Sequence, residues 1–153
     1  MIAAIRNSAK AIIMESSCLL VIANADAAGA YYILPGGGQR FGETLHEALL
    51  RECHEEMGVE VEVGALLFVR EYIGNHHEFA AQDADAHQIE FMFACQIRNG
   101  RPALGSQPDT YQFGVQWLPI HELQRYRLYP LALRPLIQNV HRAVAATYLG
   151  DVN

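Results

Sequence analysis

Lysine is almost missing from this 153-residue chain: Lys10 stands alone among 11 Lys and Arg residues. Acidic residues number 17, so the net charge is −6. That balance excludes a general nucleic-acid binder, whose phosphate contacts require a basic surface. A small polyanion stays admissible if a metal ion supplies local positive charge. The bias toward arginine suits bidentate phosphate contacts, but genome composition accounts for it equally well. Cysteine is scarce too. Cys18, Cys53 and Cys95 are odd in number, far apart and flanked by apolar residues. They suggest neither a disulfide framework nor a zinc site, and read as small core residues in a reducing compartment. Long apolar runs are also lacking. Residues 11–23 come nearest, but Glu15, Ser16 and Ser17 interrupt them and the stretch is too short to span a bilayer. With no secretory h-region at the start, a cytoplasmic protein without a membrane partner is expected.

Repeats and low-complexity linkers are missing as well. What is present is 51% hydrophobic residues, enough for one domain over 1–153 with a substantial core. Residues 11–14 and 18–23 read as two short strands around a Glu-Ser-Ser turn. Tyr31–Leu34 is β-prone and stops at Pro35, and a glycine-rich loop runs from Gly36 to Gly42. Thr44 followed three residues later by Glu47 predicts a capping box opening a helix to about Met57, with Gly58 as its left-handed cap. Val59–Ile73, Gln88–Ile97 and Phe113–Leu118 read as strands, and Asn75–His87 as a polar loop. Residues 119–123 suggest a short helical turn, and a final helix is expected within Leu131–Leu149. This order predicts an α+β architecture, a mixed sheet between helices.

The informative stretch is Gly37–Val59. On the predicted helix, Glu52, Glu55 and Glu56 are spaced i, i+3, i+4 and share one face. Like charges at that spacing repel, and the helix dipole disfavours anions in the last turns. The arrangement is locally unfavourable twice over, as functional sites often are. A divalent cation would remove both penalties. Alone, the triplet would read more readily as a solvated acidic face, partly neutralised by Arg51. The preceding Pro35-Gly36-Gly37-Gly38 shifts the balance, because bare glycines let backbone groups approach a ligand or metal.

Together these residues resemble the Nudix box: Gly, five residues, Glu, seven residues, then Arg-Glu-hydrophobic-any-Glu-Glu-any-Gly-hydrophobic. Gly37, Glu43, Arg51, Glu52, Glu55, Glu56 and Gly58 fill every charged and glycine position, with Cys53 in the aliphatic slot. Leu34-Pro35-Gly36-Gly37 before the box and Trp117–Leu123 after the last strand extend the resemblance over nearly the whole chain. It implies an α/β/α sandwich with the box as a loop–helix–loop. It also implies Mg²⁺- or Mn²⁺-dependent hydrolysis of a pyrophosphate bond in a nucleoside diphosphate linked to another group. Glu55 and Glu56 would be metal ligands, Glu52 a ligand or the general base, and the Gly36 carbonyl a further ligand. Arg51 and Glu43 would hold each other and fix the helix against the loop. Glu90, an acid in an apolar strand, is the candidate extra ligand; an outward-facing residue is the alternative. Gly37, Gly38 and Arg40 are candidates for meeting the substrate's phosphates, and Tyr31, Tyr32 and Phe41 for stacking on a base.

His76, His77 and His87 gather in the loop before Glu90. Their spacing matches no trusted zinc pattern, so a loop covering the substrate pocket is expected there. Markers of ADP-ribose, dinucleoside polyphosphate and coenzyme A hydrolases are missing or out of register. Ser106-Gln107-Pro108 resembles the start of the NADH-hydrolase marker but lies too far along. A nucleoside triphosphate, an oxidised nucleotide or a nucleotide sugar remains open. The rival is a non-catalytic nucleotide-sensing module, which would usually have lost box carboxylates. Many family members are homodimers, and that expectation is carried over with no interface legible in this chain.

Overall fold

The computed structural model describes residues 3–105, 111–140 and 145–153. The marker-like Ser106-Gln107-Pro108 lies outside them. Strand β1 (Arg6–Glu15) turns back into β2 (Cys18–Asp26) through Ser16 and Ser17, both at positive φ. Two left-handed residues make the hairpin turn that matches strand twist. Then come β3 (Gly29–Ile33), β4 (Gly36–Gly38), helix α1 (Leu45–Met57) and β5 (Glu60–Ile73). A 3₁₀ turn at Gly74–His76 and α2 (Ala80–Asp83) precede β6 (His87–Asn99). β7 (Gln112–Pro119), a 3₁₀ turn (Ile120–Arg125), β8 (Leu128–Tyr129), α3 (Leu133–Gln138) and β9 (Thr147–Asp151) follow.

The strands lie in the order β8-β3-β2-β1-β6-β5-β9, with β4 added on β1 and β7 on β2. Most neighbours are antiparallel, but β1 runs parallel to β6, β3 to β8 and β5 to β9. β1 joins the two halves, pairing with β6 along most of its length, with β4 at Ser8–Lys10 and with β2 at its end. The sheet is therefore mixed, and both faces are covered. On one face Ala11, Ile13, Leu20 and Ile22 pack against Leu49, Cys53 and Met57 of α1. On the other, Ile12, Leu19 and Val21 pack against Leu123, Leu133 and Ile137. Consecutive β1 and β2 residues serve opposite faces, so both strands read as continuous apolar runs. Burying Leu49 completely stabilises the fold by about 1.5–3 kcal/mol. No helix among the described residues is long and apolar enough to cross a membrane.

The sequence reading needs three structural corrections. The glycine loop contains β4, formed because its backbone pairs with Ser8–Lys10 of β1. The polar Asn75–His87 loop contains a helical turn. The expected final helix is α3 alone; residues 147–149 belong to β9, which pairs in parallel with β5. The part of that stretch at 141–144 is outside the described residues.

Candidate active site

Helix α1 starts and stops where its ends are chemically marked. Thr44 Oγ1 accepts from the Glu47 N–H (3.1 Å), and the Glu47 carboxylate accepts from the Thr44 N–H (2.7 Å). Gly58 closes the helix at φ 68°, its N–H donating to the His54 carbonyl. These ends fix the rotation of the helix, which aims Glu52 and Glu56 at the strand Gly36–Gly38.

Glu56 is buried. Its two oxygens accept from the Gly36 N–H (2.7 Å) and from Gln112 Nε2 (2.9 Å). Burial pushes its carboxyl above the usual range; the nearby Lys10 ammonium, the Gly36 N–H and Gln112 oppose that rise. Lys10 Nζ donates to the Gly36 carbonyl at 3.3 Å. Glu52 lies so close to Gly37 that a Cβ there would stand 2.5 Å from its carboxyl carbon. The same is true on the next residue, where a Cβ on Gly38 would meet the Arg6 guanidinium at 2.2 Å. The glycines are thus what allow charged groups to reach this backbone.

Arg51 is the centre of the charge network. Nε and Nη2 donate to the two oxygens of Glu43 (2.6 and 2.9 Å), and Nη2 also donates to the Gly38 carbonyl (3.0 Å). Nη1 donates to Glu52 (2.7 Å) and Glu55 (3.3 Å). The Arg51 hydrogen bonds, helped by the Arg40 N–H, hold the Glu43 carboxyl down at about 2. Arg40 itself is largely exposed, with its guanidinium 3.8 Å from Glu55.

The donors offered here, the carboxylates of Glu52, Glu55 and Glu56 and the Gly36 carbonyl, are all oxygen. That set suits a hard cation such as Mg²⁺ or Mn²⁺. As they stand, no three His, Cys, Asp or Glu side chains among the described residues are gathered tightly enough to hold a metal. Arg51 Nη1 supplies counter-charge to Glu52 and Glu55. Only that one nitrogen bridges Glu52 and Glu55, so its release would leave Arg51 anchored on Glu43 and Gly38.

The other candidates have partners of their own. Glu90 is buried with Oε2 on Arg70 Nε (2.6 Å) and Oε1 on Gln88 Nε2 (2.8 Å). Burial opposes its ionisation, but Arg70 and Lys10 outweigh it and hold the carboxyl low. The histidines do not share a centre. His76 Nδ1 and His77 Nε2 lie 2.8 and 2.5 Å from Asp151, while His87 Nε2 is 3.4 Å from Glu71. Of the three aromatics, Phe41 is fully exposed, Tyr32 packs edge-on against Tyr126, and Tyr31 lines a cavity. Lys10 and Gln112 were not among the sequence candidates. Lys10 carried a signal, a lone lysine between apolar neighbours; Gln112 carried none.

Comparison with known proteins places the chain in a family. The NUDIX domain model matches residues 4–140. A Caenorhabditis elegans protein bearing the name nudix hydrolase 1 is 28% identical over 135 residues, 88% of this chain and 33% of that one. The chain thus spans about a third of the length of this curated relative. A NUDIX hydrolase from Nitrosomonas europaea has the same fold, with TM-score 0.71 and 17% identity over 92% of each chain. An ADP-ribose pyrophosphatase from Streptococcus suis matches with TM-score 0.64 and 17% identity over 95% of this chain and 98% of that one.

Proposed function

The chain belongs to the Nudix family, and from that premise we propose that it hydrolyses a pyrophosphate bond in a nucleoside diphosphate linked to another group, using Mg²⁺ or Mn²⁺. The observation that carries this reading is the convergence of the α1 carboxylates on the Gly36–Gly38 strand. Glu56 bonds the Gly36 N–H directly, and Glu52 touches the bare Cα side of Gly37. Glu55, Glu56 and the Gly36 carbonyl would hold the cation, with Glu52 as a further ligand or as the base that takes a proton from the attacking water. When bound, such a cation lowers the pKa of water and offsets charge on the phosphoryl oxygens.

Arg51 positions the chemistry by pinning α1 to Glu43 and to the Gly38 carbonyl. The Gly37 and Gly38 backbone is assigned to meeting phosphate oxygens, with Glu52 and Arg6 filling the Cβ sides of the two glycines, and exposed Arg40 is placed to meet one. Glu90 holds Arg70 and Gln88 and, like Glu56, whose two oxygens are also engaged, stays a candidate further ligand. The reaction releases a nucleoside monophosphate together with the phosphorylated remainder, or pyrophosphate from a triphosphate. A cytoplasmic location and a homodimer belong to the same reading; light scattering in solution checks the second.

The test is a panel of nucleoside triphosphates, oxidised nucleotides and nucleotide sugars, incubated with Mg²⁺ and scored for phosphate after a coupled phosphatase. A substrate should be cleaved, with rates rising toward alkaline pH, and Glu52→Gln should silence it. Undiminished cleavage in excess chelator would refute the reading. Binding by the same compounds without turnover would favour a sensor instead.

A further inference from the structure

A cavity of about 800 Å³ opens over the sheet face that carries Lys10, Arg70, Tyr72 and Glu90. That volume is within the range of small-molecule pockets. Lys10 belongs to both the cavity and the box, because its ammonium donates to the Gly36 carbonyl. Part of the lining is a wall of rings from three separate segments: Tyr31 of β3, Phe79 before α2, and Tyr129 of β8. Ring centroids stand 5.2 Å apart for Phe79–Tyr129, 6.0 Å for Tyr31–Tyr129 and 6.3 Å for Tyr31–Phe79. The two Tyr129 pairs meet edge to face, which leaves ring faces that the rings do not cover for one another.

The charges of the lining are ordered. Arg127 lies 5.7 and 5.8 Å from the Tyr31 and Tyr129 rings. It resembles a phosphate-binding arginine, but its Nη1 and Nη2 donate to the two oxygens of Asp26 (3.0 and 2.9 Å). Arg70 is likewise engaged with Glu90 at 2.6 Å. Lys10 donates to the Gly36 carbonyl and is also within electrostatic reach of the Glu56 and Glu90 carboxylates, so the end of the cavity beside the box would take a diphosphate through the cation held there. The ring wall already has a cation against it in Arg127, so it is not an empty cage awaiting an ammonium group. The Tyr72 hydroxyl donates to Asp83 (2.8 Å), which ties the segment bearing Phe79 to the sheet.

We propose that this cavity sets substrate choice: a flat, uncharged base lies against the Tyr31–Phe79–Tyr129 wall, and the Asp26–Arg127 pair turns away substrates with a second anionic group at that end. The inference rests on the pyrophosphohydrolase reading for what lies at the Lys10 end, but its test does not depend on turnover. Calorimetry with Mg²⁺ compares ribose 5-(α,β-methylene)diphosphate with the α,β-methylene diphosphates of adenosine, guanosine, cytidine and uridine. At least one nucleoside probe should bind more tightly than the base-free probe. Tyr31→Leu and, independently, Phe79→Leu should weaken it roughly 5- to 100-fold, the range for loss of one base–ring stack, without weakening the base-free probe. Adding a 3′-phosphate to the best probe should weaken it in the native chain, because Arg127 is already committed to Asp26. Asp26→Asn, by releasing Arg127, should narrow that gap.

Equal binding of base-free and base-bearing probes, no nucleoside binding included, would overturn the inference. So would a 3′-phosphate that costs the native chain nothing. The two readings fail differently. Cleavage indifferent to the base would sink the ring wall and leave the hydrolase; ring-dependent binding with no cleavage in the substrate panel would do the reverse.

Discussion

Alanine at Gly37 is the substitution that best separates chemistry from folding in this molecule. A Cβ there would stand 2.5 Å from the Glu52 carboxyl carbon and 2.7 Å from both of its oxygens. Carbon contacts settle near 3.5 Å, so the carboxylate must retreat about 1 Å. It can do so, because it is the far end of a flexible side chain and Gly37 itself needs no left-handed backbone. The folding cost should be about 1 kcal/mol, the low end for an added methyl, or about 2–4 °C in Tm. A displacement of about 1 Å at a reacting centre costs on the order of 100-fold in rate. Gly36→Ala should do the opposite. Its Cβ would stand 2.1 Å from the Ala9 carbonyl oxygen, a backbone atom, at φ +129°. Strain and overpacking together cost about 2–6 kcal/mol, a fall of roughly 5–20 °C. Gly38→Ala is the control for stability. Its clash is with the tip of exposed Arg6, which can swing away, so its Tm should stay near native. Circular dichroism melts in chelator and kcat on the substrate found in the panel give the two readouts. A Gly37→Ala protein that keeps full kcat would refute the role given to the Glu52 position, and a Gly36→Ala protein as stable as native would refute the packing argument.

Three other perturbations have definite signs. Glu56→Gln should cut turnover by roughly 100-fold or more, yet melt in chelator at or above the native temperature near neutral pH. Burial raises the Glu56 carboxyl, so its contribution to stability is full at acid pH and lost as pH rises through that raised value; the gap between variant and native should therefore shrink on acidification. A lower melting point for the variant at neutral pH would count against this. Arg51→Lys keeps the charge but not the fork that holds both oxygens of Glu43. It should lower the melting temperature by a few degrees and raise the Glu43 carboxyl from about 2, which carbon-detected titration would register. Stability from that pair is present above the ordinary carboxylate range and lost as pH falls toward about 2, so the variant should also show a weaker acid limb. Asp151→Asn should flatten the acid limb as well. Burial works against Asp151 ionisation, but His77, the Ile73 N–H and His76 outweigh it and hold the carboxyl well below its usual range. Its contribution is thus present above that range and fades as pH falls below it; identical urea midpoints for variant and native from about pH 2 to 7 would dismiss the interaction.

Helix α1 was legible to the residue at both ends because its signals are local. Thr44 and Glu47 cap each other, and Gly58 takes the one conformation that suits it. The β1–β2 hairpin was legible for a similar reason, two apolar runs around a short polar turn. β4 was not, since three glycines have no preference for a strand and are one only because β1 pairs with them. The C-terminal error has the same origin. Residues 147–149 carry apolar character compatible with either period, and what decides for a strand is the edge of β5, distant in sequence.

The site divides along the same line. Box residues follow one another on a single loop and helix, so fixed spacing brings Arg51 to Glu43 and Glu56 to Gly36 once the helix forms. A charged residue inside an apolar strand says something weaker. It says that a partner must answer the charge, without saying which. For Glu90 a metal and an outward-facing position were both admissible; the partner is Arg70, twenty residues upstream and beside it only because β5 pairs with β6. Lys10 sent the same kind of signal and is answered by the Gly36 carbonyl and by the nearby Glu56 and Glu90 carboxylates. The ring wall is the most dispersed feature. Tyr31 could be named as a stacking candidate, but its selection over Tyr32 and Phe41 depends on Phe79 and Tyr129, which approach it only after β3 pairs with β8 and the 74–86 segment folds over the sheet. On the proposed reading, bond type is written in contiguous residues and substrate choice in dispersed ones, so the box points to a reaction and the cavity to its substrate.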